Sequence, residues 1–244
     1  MRLFAIIGYP LSHSFSQKYF TEKFARENIA DAVFEIYPIP EISLLSEILK
    51  SRKDLSGFCV TIPYKKAILG FLDQQSDAVR QMGACNCVKI QGNTLIGFNT
   101  DVIGFEKSFA PQLLPYHTKA LILGTGGAAA AVEFVLQKLQ ISYRFVSRQK
   151  TTANLLTYED LDESILDEYT VIINSTPLGT YPDTDEAPEL PYHLLTAKHY
   201  LFDLVYNPPL TKFLQLGALQ GAIIKNGYDM LVIQAEENWK IWNS

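Results

Sequence analysis

Cysteine is scarce in this chain, and basic residues are outnumbered. The 3 thiols among 244 residues, Cys59, Cys85 and Cys87, are an odd number at spacings that suit neither a disulfide framework nor a zinc ribbon. They read as free thiols in a reducing, cytoplasmic setting, with no metal site. Lys and Arg total 21 against 26 Asp and Glu, a net charge of −5. Nucleic-acid binding needs clustered cations to neutralise phosphates, so a nucleic-acid partner is excluded and a small anionic ligand is not. Long apolar runs are missing too. The run Leu3 to Ile7 is shorter than the core of a secretion signal, and the weakly charged stretch 120–132 stops at Glu133, short of the roughly 20 apolar residues of a membrane span. No internal repeat or low-complexity tract occurs. What is present is ordinary globular composition, 48% hydrophobic and 12% aromatic, enough for one large core or two smaller ones.

Along the chain, apolar runs of strand length alternate with stretches of helical period, the pattern of α/β units. Strands are predicted over 3–8, 33–37 and 58–62, with helices over 16–27 and 41–50 between them. Further strands over 85–90 and 95–99 flank Gln91-Gly92-Asn93, a hairpin signal. The proline-containing segment 111–117 separates this half from a second α/β series and marks a nearby domain boundary. That series has strands over 119–123, 143–147, 170–174, 200–205 and 222–225, and a helix over 128–139. A last helix over 228–242 sets Met230, Leu231, Gln234, Asn238 and Trp242 at helical spacing, so its inner face is not wholly apolar.

Gly124-Thr125-Gly126-Gly127-Ala128-Ala129 follows a buried strand and opens a helix, the context that makes a glycine-rich turn a dinucleotide fingerprint. Glycine at 124 and 126 permits a tight turn and close approach of backbone to pyrophosphate, and the helix N-terminus offers free N–H groups to the anion. The next strand ends in Ser147-Arg148-Gln149-Lys150 and lacks the carboxylate that accepts the 2′-hydroxyl of NAD. A guanidinium with an ammonium nearby suits the 2′-phosphate of NADP.

In the first half, Gly8-Tyr9-Pro10-Leu11-Ser12-His13-Ser14-Phe15-Ser16 joins a strand to a helix where hydroxyls and free amides can hold a carboxylate. Ser14 with Gln17 reads equally as a capping box. Lys65 and Lys66 follow a strand end, where open sheets bind ligands, or form a solvated helix start. Asp101 likewise ends Asn99-Thr100-Asp101 as a functional acid or an N-cap.

Taken in order and spacing, Gly8 to Ser16, Val60 to Lys65, Gly83-Ala84-Cys85-Asn86, Gly97 to Asp101, Gly124 to Ala128 and Gly227 to Gln234 resemble the shikimate dehydrogenases over nearly the whole chain. The resemblance implies two α/β domains around a cleft. One is a substrate domain of residues 1–102 plus 228–244, to which the C-terminal helix returns; the other is a Rossmann-like NADP domain of residues 103–227. It implies reversible reduction of 3-dehydroshikimate to shikimate by NADPH, on the route to chorismate and aromatic amino acids, in a monomer or homodimer with no membrane partner. Lys65, rather than Lys66, matches the catalytic lysine and Asp101 its acidic partner. Ser14 and Ser16, with Tyr206 from across the cleft, match the carboxylate ligands, and Thr61, Asn86 and Gln234 the hydroxyl ligands. The cofactor set is Gly124, Thr125, Gly126, Gly127, Ala128, Ser147, Arg148 and Lys150, with Leu204, Gly227 and Met230 near the nicotinamide.

Some positions depart from the family. Cys59 stands where Asn is common and Cys87 where Thr is common, and a thiol hydrogen-bonds weakly, so both substitutions loosen polar support behind the site. Gln17 replaces a common proline, Ala130 a common basic residue, and residues 151–169 are compact for this fold. Two rivals are an NAD-preferring quinate/shikimate dehydrogenase and a non-catalytic small-ligand-binding homologue. Arg148 opposes the first, and the presence of both Lys65 and Asp101 the second.

Overall fold

The computed structural model of the protein describes residues 1–11, 14–149 and 155–244. They form two compact units, one of residues 1–103 and 231–244 and the other of residues 104–230. The proline-containing segment 111–117 lies inside the second unit.

The first unit is built on β1 (Arg2–Gly8), α1 (Phe15–Arg26), β2 (Ala32–Pro38), α2 (Leu45–Ser51), β3 (Leu55–Val60), β4 (Gln74–Gln75), α3 (Asp77–Met82), β5 (Cys87–Gln91) and β6 (Thr94–Phe98). Its six-stranded sheet has the order β2-β1-β3-β5-β6-β4. β1 pairs in parallel with β2 and β3, and β5 pairs antiparallel with β3 and β6. The β1 run is apolar throughout because both sheet faces are covered: Leu3, Ala5 and Ile7 enter one core and Phe4 and Ile6 the other. The hairpin turns at Gly92, whose φ is +63°. The helix predicted over 41–50 begins as a 3-10 turn, Ile42–Leu44, before α2. β3 stops at Val60 rather than Ile62; Tyr64 N–H donates to Thr61 O across the turn that carries Pro63. The two-residue β4 and the short α3 carry too little periodicity to be read from sequence.

After α4 (Asp101–Phe109), the second unit contains β7 (Lys119–Leu123), α5 (Ala129–Lys138), β8 (Ser142–Val146), α6 (Glu163–Glu168), β9 (Val171–Asn174), β10 (Tyr200–Asp203), α7 (Lys212–Leu219) and β11 (Ile223–Lys225). Its sheet, ordered β11-β10-β9-β7-β8, is parallel throughout. Strand order reverses between β7 and β9, the crevice where sheets of this kind bind ligands.

The chain ends in α8 (Tyr228–Asn243). Phe4, Phe20, Phe24, Phe34, Trp239 and Trp242 pack as one aromatic cluster between α1, the sheet and α8. Trp242 Nε1–H donates to Val88 O at 3.0 Å. It lies so close to Gly57 that a Cβ there would come within 2.4 Å of the indole. The helix is thereby held on the sheet, which fixes the register of Gln234 two turns earlier.

Candidate active site

β1 and β3 are neighbours, with β2 on the outer side of β1, so the ends of these two strands open a crevice. A cavity of about 230 Å³ occupies it, lined by Ser14, Ser16, Thr61, Lys65, Asn86, Asp101 and Gln234 among polar residues, together with Cys59 and apolar side chains that include Leu231. Seven of the residues singled out in the sequence therefore meet in one place. Gly8 permits this closeness, because a Cβ there would lie 2.5 Å from Thr61 Cγ2.

Ser14 does cap α1, its Oγ accepting from Gln17 N–H at 3.4 Å, and it also lines the cavity. Lys65 is separated from Lys66 by the turn: Lys66 is exposed, whereas Lys65 Nζ donates to Asp101 Oδ2 at 2.7 Å. The Lys65 carbonyl accepts from Cys85 N–H at 2.8 Å, which fixes the backbone behind the ammonium. Asp101 is the first residue of α4 rather than its cap, since the Val102 amide is taken by Asn99 Oδ1 at 3.4 Å. Its carboxylate is committed to the lysine.

Beneath the cavity lies a buried polar layer. Thr100 N–H donates to Asn86 Oδ1 at 2.7 Å, and Asn86 Nδ2 donates to Gln234 Oε1 at 3.4 Å. Burial pushes the Cys59 thiol up to about 12, against hydrogen bonds from Ser16 and Asn238 that act the other way. Asn238, fully buried in this layer, was visible in the sequence only as a polar residue on the inner face of the last helix.

In the second unit, a cavity of about 600 Å³ sits at the β7/β9 crevice, lined by Gly124, Thr125, Gly126, Ser147 and Arg148. Gly124 has φ +94°, and a Cβ there would meet Thr176 Cγ2 at 2.9 Å, so the turn requires glycine twice over. A Cβ on Gly126 would meet nothing within 4 Å, so the space beside this backbone is open and not filled by packing. Arg148 is exposed and makes no ion pair among the described residues. These features fit a dinucleotide with an anionic adenosine end.

Gly127 and Ala128 complete the turn before α5. Gly227 packs on the Leu204 carbonyl, where a Cβ would come within 2.3 Å. Met230 is buried. Tyr206 belongs to this second unit, and Lys150 lies outside the described residues. The sequence reading missed Ser175, Thr176, Pro177 and Leu178, which follow β9 and line the cavity beside Tyr158, Glu186 and Glu189. Their position past a strand end was the available signal. Behind the loop after β10, Asp203 is completely buried and accepts from Asn174 Nδ2, Val205 N–H and Thr211 Oγ1. Burial raises its carboxyl to about 6 in spite of these bonds.

A sequence profile of the shikimate dehydrogenase substrate binding domain matches residues 6–88. The shikimate dehydrogenase (NADP(+)) of Caldicellulosiruptor saccharolyticus is 33% identical over 259 residues, covering 99% of this chain and 92% of that protein. That of Staphylococcus haemolyticus is 35% identical over 251 residues, covering 98% and 91%. The crystal structure of shikimate 5-dehydrogenase from Thermus thermophilus in complex with NADP(H) and shikimate is similar at a TM-score of 0.84 and 30% identity, covering 99% of this chain and 93% of that one.

Proposed function

This chain belongs to the shikimate dehydrogenase family, and on that premise we propose that it reduces 3-dehydroshikimate reversibly to shikimate with NADPH. The observation that carries the reading is the Lys65–Asp101 pair, 2.7 Å apart, in a cavity whose other polar lining is the hydroxyls of Ser14, Ser16 and Thr61 and the amides of Asn86 and Gln234, set among apolar side chains. Such a lining suits a polyhydroxylated acid.

When bound, NADPH supplies the hydride. As that hydride adds to the ketone carbon, negative charge develops on the ketone oxygen. The Lys65 ammonium stabilises the charge and delivers its proton there. In the reverse direction the neutral amine takes the alcohol proton. Asp101 holds the ammonium in place and accepts from a substrate hydroxyl. The Ser14 and Ser16 hydroxyls take the substrate carboxylate, and Thr61, Asn86 and Gln234 its hydroxyl groups. On the cofactor side, the turn from Gly124 to Ala128 would hold the pyrophosphate, Ser147 and Arg148 the 2′-phosphate, and Leu204, Gly227 and Met230 the nicotinamide end. The cytoplasm is the proposed compartment, supported by three free, buried thiols.

The test is Lys65→Ala. The variant loses turnover of shikimate with NADP+ by at least roughly 10²-fold and still binds shikimate by calorimetry. Full turnover in this variant refutes the mechanism.

A further inference from the structure

One turn beyond Gln234 on α8, Asn238 is completely buried, yet no motif assigns it a task. The direction of every hydrogen bond around it follows from one fixed point. A backbone N–H can only donate, so the Thr100 amide, 2.7 Å from the Asn86 side chain, faces Oδ1. Asn86 Nδ2 is therefore turned the other way, toward Thr100 Oγ1 at 3.0 Å and Gln234 at 3.4 Å. It donates to both, and Gln234 meets it with Oε1. Thr100 has a single hydroxyl proton. Two acceptors lie in its reach, Asn86 Oδ1 at 3.2 Å and Asn238 Oδ1 at 2.6 Å; Asn86 Oδ1 already accepts from the Thr100 amide, so the proton takes the shorter bond, to Asn238. Asn238 Nδ2 is thereby directed at Cys59 Sγ, 3.3 Å away, and at the same Gln234 Oε1, 3.4 Å away.

Two amide donors thus converge on Gln234 Oε1. Gln234 is only 7% exposed, lines the cavity, and its Nε2 makes no hydrogen bond among the described residues. We propose that Asn238 is a positioning residue for substrate recognition, locking the Gln234 amide so that both Nε2 hydrogens face the substrate and read a substrate oxygen as acceptor. Cys59 completes the device. The thiol accepts the second Asn238 amide proton, which would otherwise be buried without a partner. The identity of the substrate rests on the reading above; the direction of the amide does not.

Initial rates with shikimate and NADP+ test the first part, in the wild-type protein, Asn238→Ala, Gln234→Ala and the double variant. Asn238→Ala raises KM for shikimate by about tenfold while KM for NADP+ and most of kcat stay unchanged. In the double variant the loss equals that of Gln234→Ala alone, because the two act as one unit. Losses that multiply in the double variant, or a fall in kcat at constant KM, overturn the proposal.

Asn238→Asp tests the direction without turnover. Its carboxylate accepts only, so one of the two donors to Gln234 Oε1 becomes an acceptor that draws Gln234 Nε2 away from the cavity, against the one remaining donor, Asn86 Nδ2. By NMR of side-chain amides, the Gln234 hydrogens exchange readily with water in the wild-type protein and become protected in this variant. Protected hydrogens in the wild-type protein overturn the proposal whether or not shikimate is turned over. A wild-type chain inert to shikimate, with unprotected Gln234 hydrogens, refutes the substrate reading alone.

Discussion

Lys65 Nζ stands 2.7 Å from Asp101 Oδ2, although 36 positions separate the two in the chain. One comes from the turn after β3 and the other from the start of α4. Their side chains are 30% and 17% exposed, so the pair is half-buried at the cavity. Asp101→Asn keeps the shape and removes the charge. It lowers kcat with shikimate by roughly 10²-fold and moves Tm by less than about 4 °C, checked by steady-state kinetics beside calorimetry. An intact kcat with a collapsed Tm would make the pair structural.

Arg148 lines the second cavity and makes no ion pair among the described residues. Arg148→Leu raises KM for NADP+ by roughly tenfold or more and leaves KM for NAD+ nearly constant, because only the 2′-phosphate loses a charge-assisted partner. Parallel rises for both cofactors would place the guanidinium on a group they share.

All three thiols are buried, and burial pushes Cys59 up to about 12 and Cys85 to about 11. Thiolate, not thiol, is the nucleophile, so a disulfide reagent at pH 8 labels the native protein slowly and all three thiols at once in guanidinium. Rapid labelling of Cys59 through the cavity would show a thiolate there.

Asp203 carries a pH dependence of definite sign. Its carboxyl is raised from 3.8 to about 6, so between those values the folded state binds more protons than the unfolded one. Its contribution to stability is fully present below the unfolded value and is lost as pH rises through the folded one, about 3 kcal/mol in all at the usual 1.36 kcal/mol per unit. The exposed carboxylates held low by cations, such as Asp31 beside Arg2 and Glu35 beside Arg52, act oppositely and lose their stabilisation on acidification. The comparison is therefore between variants: urea midpoints of the wild-type protein and Asp203→Asn, followed from pH 4 to 7, diverge in slope. Parallel profiles would show that Asp203 does not titrate in this window.

Much of this architecture was legible because single-residue chemistry repeats locally. β7 occupies the predicted 119–123, since an apolar strand buried on both faces followed by Gly124 has few alternatives. The hairpin at Gly92 and the last helix were equally readable. Other features depended on tertiary surroundings. α7 (Lys212–Leu219) follows Pro208 and Pro209, and its short apolar run offers no clear period. Lys65 could not be told from Lys66 by pattern, because the difference is which way the turn faces. Asn238 was seen as a polar residue at helical spacing, but its value lies in Thr100, Cys59 and Gln234, three partners brought from distant segments or one turn away.

The most direct measurement is the initial rate at 340 nm with shikimate and NADP+, run beside NAD+ with shikimate and NADP+ with quinate. An NADP-dependent shikimate dehydrogenase turns over the first pairing well and the other two poorly. Preference for NAD+ or for quinate would contradict the assignment of Arg148 and of the hydroxyl-lined cavity, and an inert protein that still binds shikimate would place the chain among non-catalytic members of its family.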